Sequence, residues 1–445
     1  MEGYWDAQRA RVRSFFNVRA EEVPAVLAGA AMFFLLFTGY FMLRPVRETM
    51  GIAGGVQNLQ WLFTATFVAT LIALPVFGWI ASKAPRRRIL PWTYAFFALN
   101  LFAFAAAFTQ DPDNVWIART FYVWLSVFNL LVISLAWSVL ADILAVSQAK
   151  RLFAMIAAGA SLGGLTGPIL GTVLVSPIGH AGLMGLSAIL LTVSAAPAVW
   201  LHHWRDRRPL PDEEVEPRTR PLGGHPLAGA TAVLGSRYLI GIALFVVLLA
   251  VVNTFLYFEQ AKLVAETFPD RVRQTQVFGM IDTIVQTLTI LIQILITGRI
   301  AERFGITALL VAVPLVMAAG FLWLAFAPVF AVLVVVMVVR RVGEYALVRP
   351  GREMLYTVVP PEEKYKAKSF IDTVVYRGGD AIGGWVKRGL DVIAEQPWLA
   401  MLIGSGIALF WAGTGTFLGR RQQEKEGHGE HEAAGASHAS PRPSL

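Results

Sequence analysis

The sequence has no cysteine, which removes disulfides, thiolate nucleophiles and cysteine-held metals from consideration. Charge is scarce as well. Asp, Glu, Lys and Arg make up 15% of 445 residues and the hydrophobic types 56%, too apolar a balance for a soluble protein. Histidine is rare, and His202, His203, His428 and His431 lie in loops or the tail, without the spacing that sets metal ligands on one helix face. The chain therefore implies no metal and no cofactor. It also lacks the convergent nucleophile, acid and base that a membrane-embedded enzyme needs. Strand-like alternation is absent: the apolar runs are continuous, which excludes a β-barrel built from alternating strands of about ten residues.

What the chain does have is about twelve apolar runs long enough to cross a bilayer, centred on 23–44, 59–81, 89–109, 115–141, 152–176, 181–202, 238–260, 275–298, 306–326, 328–348, 368–390 and 397–419. The expected fold is an all-α polytopic membrane protein of two pseudo-symmetric six-helix bundles, 23–203 and 237–420. A polar, Pro-rich stretch at 204–236 joins them. Residues 1–22 carry Arg9, Arg11, Arg13 and Arg19 beside Trp5, Phe15 and Phe16, without a signal peptide's order of segments, and read as an interfacial segment. The polar, low-complexity tail from 421 to 445 reads as disordered.

A net charge of +8 would suggest nucleic acid in a soluble protein. Here the bases cluster in alternate loops: the N-terminus, Lys83 with Arg86 to Arg88, Lys150 and Arg151, the central linker, Arg299 and Arg303, the 349–368 loop and the tail. That is the positive-inside pattern, and it puts both termini in the cytoplasm of a bacterial inner-membrane protein that binds lipid rather than nucleic acid.

The halves echo each other. Gly78 to Pro85 (GWIASKAP) follows the second run, and Gly298 to Gly305 (GRIAERFG) follows the eighth. Both resemble the loop signature of the major facilitator superfamily, in which a Gly lets helices approach and charges lock their cytoplasmic ends. That resemblance and the repeat imply a central cavity between the halves and transport by alternating access.

A second resemblance covers Glu344 to Gly384: Glu-Tyr-Ala-Leu at 344 to 347, Pro350, Arg352-Glu353-Met354, Tyr356, Lys364, Lys366, Lys368, Ile371-Asp372 and Gly383-Gly384. Together with Ala149-Lys150-Arg151, Phe153, Gly159 and Ala160, and the Leu-Arg-x-x-Arg-Glu at the end of the first run, this block resembles the nucleotide transporters called ATP/ADP translocases of obligate intracellular bacteria and plastids. The resemblance implies a nucleotide-like substrate moved by exchange. Gly159, Gly163, Gly164 and Gly167 read as a helix-packing surface, not as a phosphate loop, since no strand precedes them.

Ionisable groups are costly in lipid and mark partners or watery paths. Tyr40, Arg44, Arg47 and Glu48 share one face of the first helix, at spacings of four, seven and eight. Arg119 starts a polar face on the fourth helix, which ends at Asp142. Asn253, Tyr257 and Gln260 share a face of the seventh, and Asp282, Gln286, Thr289 and Gln293 form a stripe on the eighth. Arg340, Arg341 and Glu344 fall in the cytoplasmic half of the tenth helix, with Asp372, Arg377 and Asp380 on the eleventh. The guanidinium groups suit phosphate or carboxylate. Arg44, Arg47, Arg119, Asn253, Gln286, Arg340, Arg341 and Arg377 are therefore the candidate ligands of a small anionic solute. Asp142, Lys150, Asp282, Glu344, Asp372 and Asp380 are the candidate coupling or gating groups. The acids either neutralise the bases of an empty carrier or carry protons, so a proton-coupled symporter or exporter of another organic anion stands as the alternative to exchange. A monomer is the expected working unit.

Overall fold

The computed structural model describes residues 19–83, 86–208, 226–393 and 397–438, and the side chains of a few of these, Lys150 among them, lie outside the description. The described residues are helical nearly throughout. The first four spans are α1 (Val23–Ala53), α2 (Leu59–Lys83), α3 (Arg86–Gln110) and α4 (Val115–Ile143). The continuous helix Val146–Asp206 breaks at Gly179, whose φ of 67° favours glycine, into α5 (146–178) and α6 (180–206). A short helix, Pro226–Gly235, precedes α7 (Arg237–Thr267).

Next, α8 starts at Arg271, passes a π-helical turn at Gln293–Thr297 and ends at a second break, Gly305, with φ of 71°. Beyond it α9 runs to Phe326. The span α10 joins Phe330–Gly343 to Arg349–Leu355 through a π turn at Glu344–Val348. Likewise α11 joins Pro361–Phe370 to Tyr376–Ile393 through a π turn at Ile371–Val375. The last helix, α12 (Pro397–His438), carries on through the start of the tail read from sequence as disordered.

By length and apolarity alone eight helices qualify as membrane spans. Two of the eight are the pairs broken at Gly179 and Gly305, and α10 and α11 miss the threshold because they carry the charged residues of the site. Counted this way, the described residues hold the twelve spans that the hydropathy pattern predicts.

Local chemistry sets several boundaries. The Asn114 side chain accepts from the Trp116 and Ile117 N–H groups and caps α4. At the α5 start, Gln148 accepts from the Ala145 N–H. Glu22, which precedes α1, accepts both Arg151 guanidinium nitrogens, the Gln148 amide at 3.1 Å and the Arg19 N–H at 3.0 Å. Arg205 at the end of α6 donates to the Ile143 carbonyl and to Gln148. The ends of α4 and α6 and the starts of α1 and α5 are thereby tied into one polar clamp.

Of the described residues, those in Met1–Gly223 and Val264–Gln286 form one compact unit, and those in Gly224–Leu263 and Thr287–Leu445 form the other. The first unit thus takes in the leading half of α8. Arg271 reaches Asp113 at 3.2 Å and the Pro112 carbonyl at 2.6 Å, and Thr275 bonds both Thr49 and His180.

Lipid tails give no hydrophobic drive for helix association, so close backbone packing carries it. In the first unit, α5 lays Gly159, Gly163, Gly167 and Gly171 against α1. A Cβ on Gly163 would lie 2.5 Å from the Phe34 carbonyl oxygen, and one on Gly167 2.7 Å from that of Thr38. The glycine pattern is a packing surface. The second unit repeats the device: Gly379 and Gly383 of α11 meet Val247, Ala250 and Val251 of α7. In contrast, Gly78 and Gly298 of the repeated loop signature face open space, so neither serves the close approach that the signature implies.

Candidate functional site

The densest polar cluster of the second unit centres on α10. Arg340 is 8% exposed, Arg341 5% and Glu344 6%. Glu344 accepts from Arg340 at 3.3 Å and from the Asn253 amide of α7 at 3.1 Å. Asn253 accepts from Arg340 and donates to the Tyr376 hydroxyl of α11 at 3.3 Å. Arg377 follows Tyr376 and pairs with Asp380 at 3.5 Å. Three guanidinium groups therefore share this region with two carboxylates.

Arg340 and Arg341 stand near the middle of the helical stretch from Phe330 to Leu355, and the hydrogen bond from Arg340 to Asn253 ties that stretch to α7. The π turn that follows them is braced from α8, where Gln293 donates to the Tyr345 carbonyl at 3.1 Å and Thr297 to that of Ala346 at 2.9 Å. Those bonds occupy carbonyls on a turn whose regular pattern is broken, a feature frequent at functional positions.

Within the first unit, Arg44 lies 3.8 Å from Asp282 and 5.8 Å from the Phe41 ring centroid. Arg47 donates to the Tyr122 hydroxyl at 3.0 Å, covers that ring at 4.4 Å and approaches Glu48 at 3.8 Å. Gln286, one turn from Asp282, points its amide at Gly164, where a Cβ would lie 2.6 Å from the amide nitrogen and 3.7 Å from Phe41. Here two bases balance two acids.

Other candidates are placed elsewhere. Arg119 donates to the Gly54 carbonyl at 2.8 Å and stacks on Trp116, closing the end of α1. Asp372 meets Arg352 at 3.0 Å beside a Lys368 and Glu353 pair at 2.6 Å. Asp142 is half-buried near the end of α4, within electrostatic reach of His202, which also feels the pair formed by Arg87 and Asp206. The Lys150 side chain lies outside the described residues.

The sequence pattern sets Tyr122 on the polar face of α4 and Lys387 among the charges of α11 without assigning either to the site, and it does not single out Tyr376. Tyr376 looks like an ordinary aromatic residue until the arginine network reaches it. Lys387, 2% exposed, holds Glu259 at 2.7 Å and Asp391. The four-residue spacing of Lys387 and Asp391 is visible in the chain, whereas Glu259 comes from another helix.

The sequence profile of the Major Facilitator Superfamily matches residues 26–268. The chain belongs to the Major Facilitator Superfamily. It is also 23% identical to ADP,ATP carrier protein 2 of Chlamydia pneumoniae, over 87% of each chain. Against ADP,ATP carrier protein 1 of Chlamydia muridarum it is again 23% identical, over 97% of this chain and 96% of that one. Among solved structures, the nucleoside transporter NupG matches with a TM-score of 0.59 at 16% identity, covering 90% of this chain and 99% of NupG. A bacterial homologue of the iron transporter ferroportin, in an inward-facing state, matches at 0.62 and 14% identity, covering 89% and 100%. These likenesses establish a multi-pass transporter fold.

Proposed function

We propose that this superfamily member is a secondary transporter that exchanges a nucleotide-like, phosphorylated anion by alternating access. The observation that carries the reading is the gathering of the Arg340, Arg341 and Arg377 guanidinium groups beside Glu344 and Asp380 in one buried cluster. A charge at the centre of a membrane helix costs about 2.5 to 3.5 kcal/mol on insertion scales. A buried ion pair rarely outperforms apolar packing of the same volume. Stability alone therefore does not account for five charged groups at this depth, whereas recognition of a multiply charged anion does, since guanidinium forks match phosphate oxygens. The curated relatives are named as ADP,ATP carriers, which points to the same substrate class and to exchange.

In this reading Glu344 and Asp380 neutralise the arginines of the cluster while no substrate is bound, and the phosphate groups displace them. Arg119 and Asp372 hold helix ends. The protein is a carrier and not an enzyme, works as a monomer in the bacterial inner membrane with both termini cytoplasmic, and is built of two six-helix bundles.

A thermal-unfolding screen of purified protein tests the substrate class. A ligand at 100 times its Kd adds roughly 2.7 kcal/mol to the folded state. ATP and ADP should raise the midpoint, and sugar phosphates or dicarboxylates at the same concentration should raise it less. A shift with dicarboxylates alone would assign the site to another organic anion.

A further inference from the structure

The first unit carries a cluster whose chemistry differs from the arginine-rich centre of the second. Gln286 is half-buried in an apolar helix and its amide makes no hydrogen bond among the described residues. One turn away is the Asp282 carboxylate, 3% exposed, and beside the amide lies the Phe41 ring. Gly164 leaves the room: a Cβ there would lie 2.6 Å from the Gln286 amide nitrogen. An amide offers two donors and an acceptor, and a carboxylate offers acceptors only.

A phosphate fits this cluster poorly. It would face the Asp282 carboxylate, and Arg44 is already placed near that carboxylate at 3.8 Å. A flat, neutral ring that bears both an acceptor nitrogen and an exocyclic amino group fits well. It can stack on Phe41, take and give a hydrogen bond at the Gln286 amide and donate to Asp282. Gln reads adenine through such a paired contact in nucleic-acid recognition.

We infer that Phe41, Asp282 and Gln286 form an aminopurine-recognition subsite, with Gly164 as the gap that lets the Gln286 amide reach the base. The inference rests on the nucleotide-exchange reading and adds to it where base selectivity resides. Gly164 acts as a positioning residue. An alanine methyl there displaces only the far end of a flexible side chain, so the backbone can stay in place.

Binding of ATP, ITP and tripolyphosphate to the purified full-length protein tests this. ITP differs from ATP in the exocyclic group of the base, and tripolyphosphate has no base. The wild type should bind ATP about tenfold more tightly than ITP, the scale of one or two hydrogen bonds. Gly164→Ala and Gln286→Ala should each bring that ratio to about two or less, while tripolyphosphate still binds. An unchanged ratio in both variants, or a wild type that does not distinguish ATP from ITP, overturns the subsite and leaves the exchange reading standing. Loss of tripolyphosphate binding in both variants also overturns it, because the cluster would then serve the anion or the fold. Failure of the wild type to bind any nucleotide overturns the exchange reading, and the subsite with it.

Discussion

Arg340 and Glu344 stand one turn apart on α10 with 3.3 Å between guanidinium nitrogen and carboxylate oxygen, and Asn253 of α7 touches both. Each is more than nine-tenths buried. Removing one member leaves the other uncompensated, at a cost of about 3 to 5 kcal/mol for a buried pair. Arg340→Ala should therefore lower the unfolding midpoint clearly and abolish transport. The double variant Arg340→Ala with Glu344→Ala should recover most of the stability and none of the transport. Recovery of both would make the pair a structural brace and remove Arg340 from the substrate site.

The α1 and α5 contact gives a steric prediction. Gly163→Ala puts a methyl 2.5 Å from the backbone oxygen of Phe34, which cannot swing aside, so overpacking should cost about 1 to 3 kcal/mol. Gly185→Ala on α6 meets nothing within 4 Å and should be neutral or stabilising by up to about 1 kcal/mol. Equal midpoints for the two variants would deny the glycine surface its packing role.

Glu22 supplies a pH dependence. Burial alone would push its carboxyl up, but the hydrogen bonds from Arg151, Arg19 and Gln148, with the Arg151 charge, outweigh that and hold it below its ordinary value of 4.5. A carboxyl lowered on folding adds stability that is fully present above the unfolded value and is lost as pH falls through the folded one. The stability gap between wild type and Glu22→Gln should thus be constant from about pH 6 upward and narrow below about pH 4.5. A gap that widens on acidification would contradict the clamp.

The twelve spans were legible because hydropathy reports directly on the bilayer. Partners were legible only where they share a helix face. The spacings of Arg340 to Glu344 and of Asp282 to Gln286 can be read along the chain, but Arg47 with Tyr122, Asn253 with Arg340 and Glu259 with Lys387 join residues on different helices. The π turn through which α10 continues past its apolar run to Leu355 has no signature in the hydropathy pattern. Along the eighth-helix stripe the structure separates half-buried Gln286 from buried Thr289, and Gln293 donates to the Tyr345 carbonyl.

That division of the stripe can be probed in a chain with no native cysteine. Cysteine at Gln286, a half-buried position, should react with a water-soluble thiol reagent, and bound ATP should slow the reaction. At Thr289, 6% exposed, cysteine should react slowly with or without ATP. Equal rates at the two positions, unaffected by ATP, would place Gln286 outside the substrate path.

The central claim is exchange of a nucleotide-like anion, and counterflow in proteoliposomes containing only this protein measures it most directly. Vesicles preloaded with ADP should take up labelled ATP, empty vesicles should take up little, and an imposed pH gradient should change neither result. Accumulation into empty vesicles driven by the pH gradient alone, with no stimulation by internal ADP, would contradict the account and identify a proton-coupled carrier.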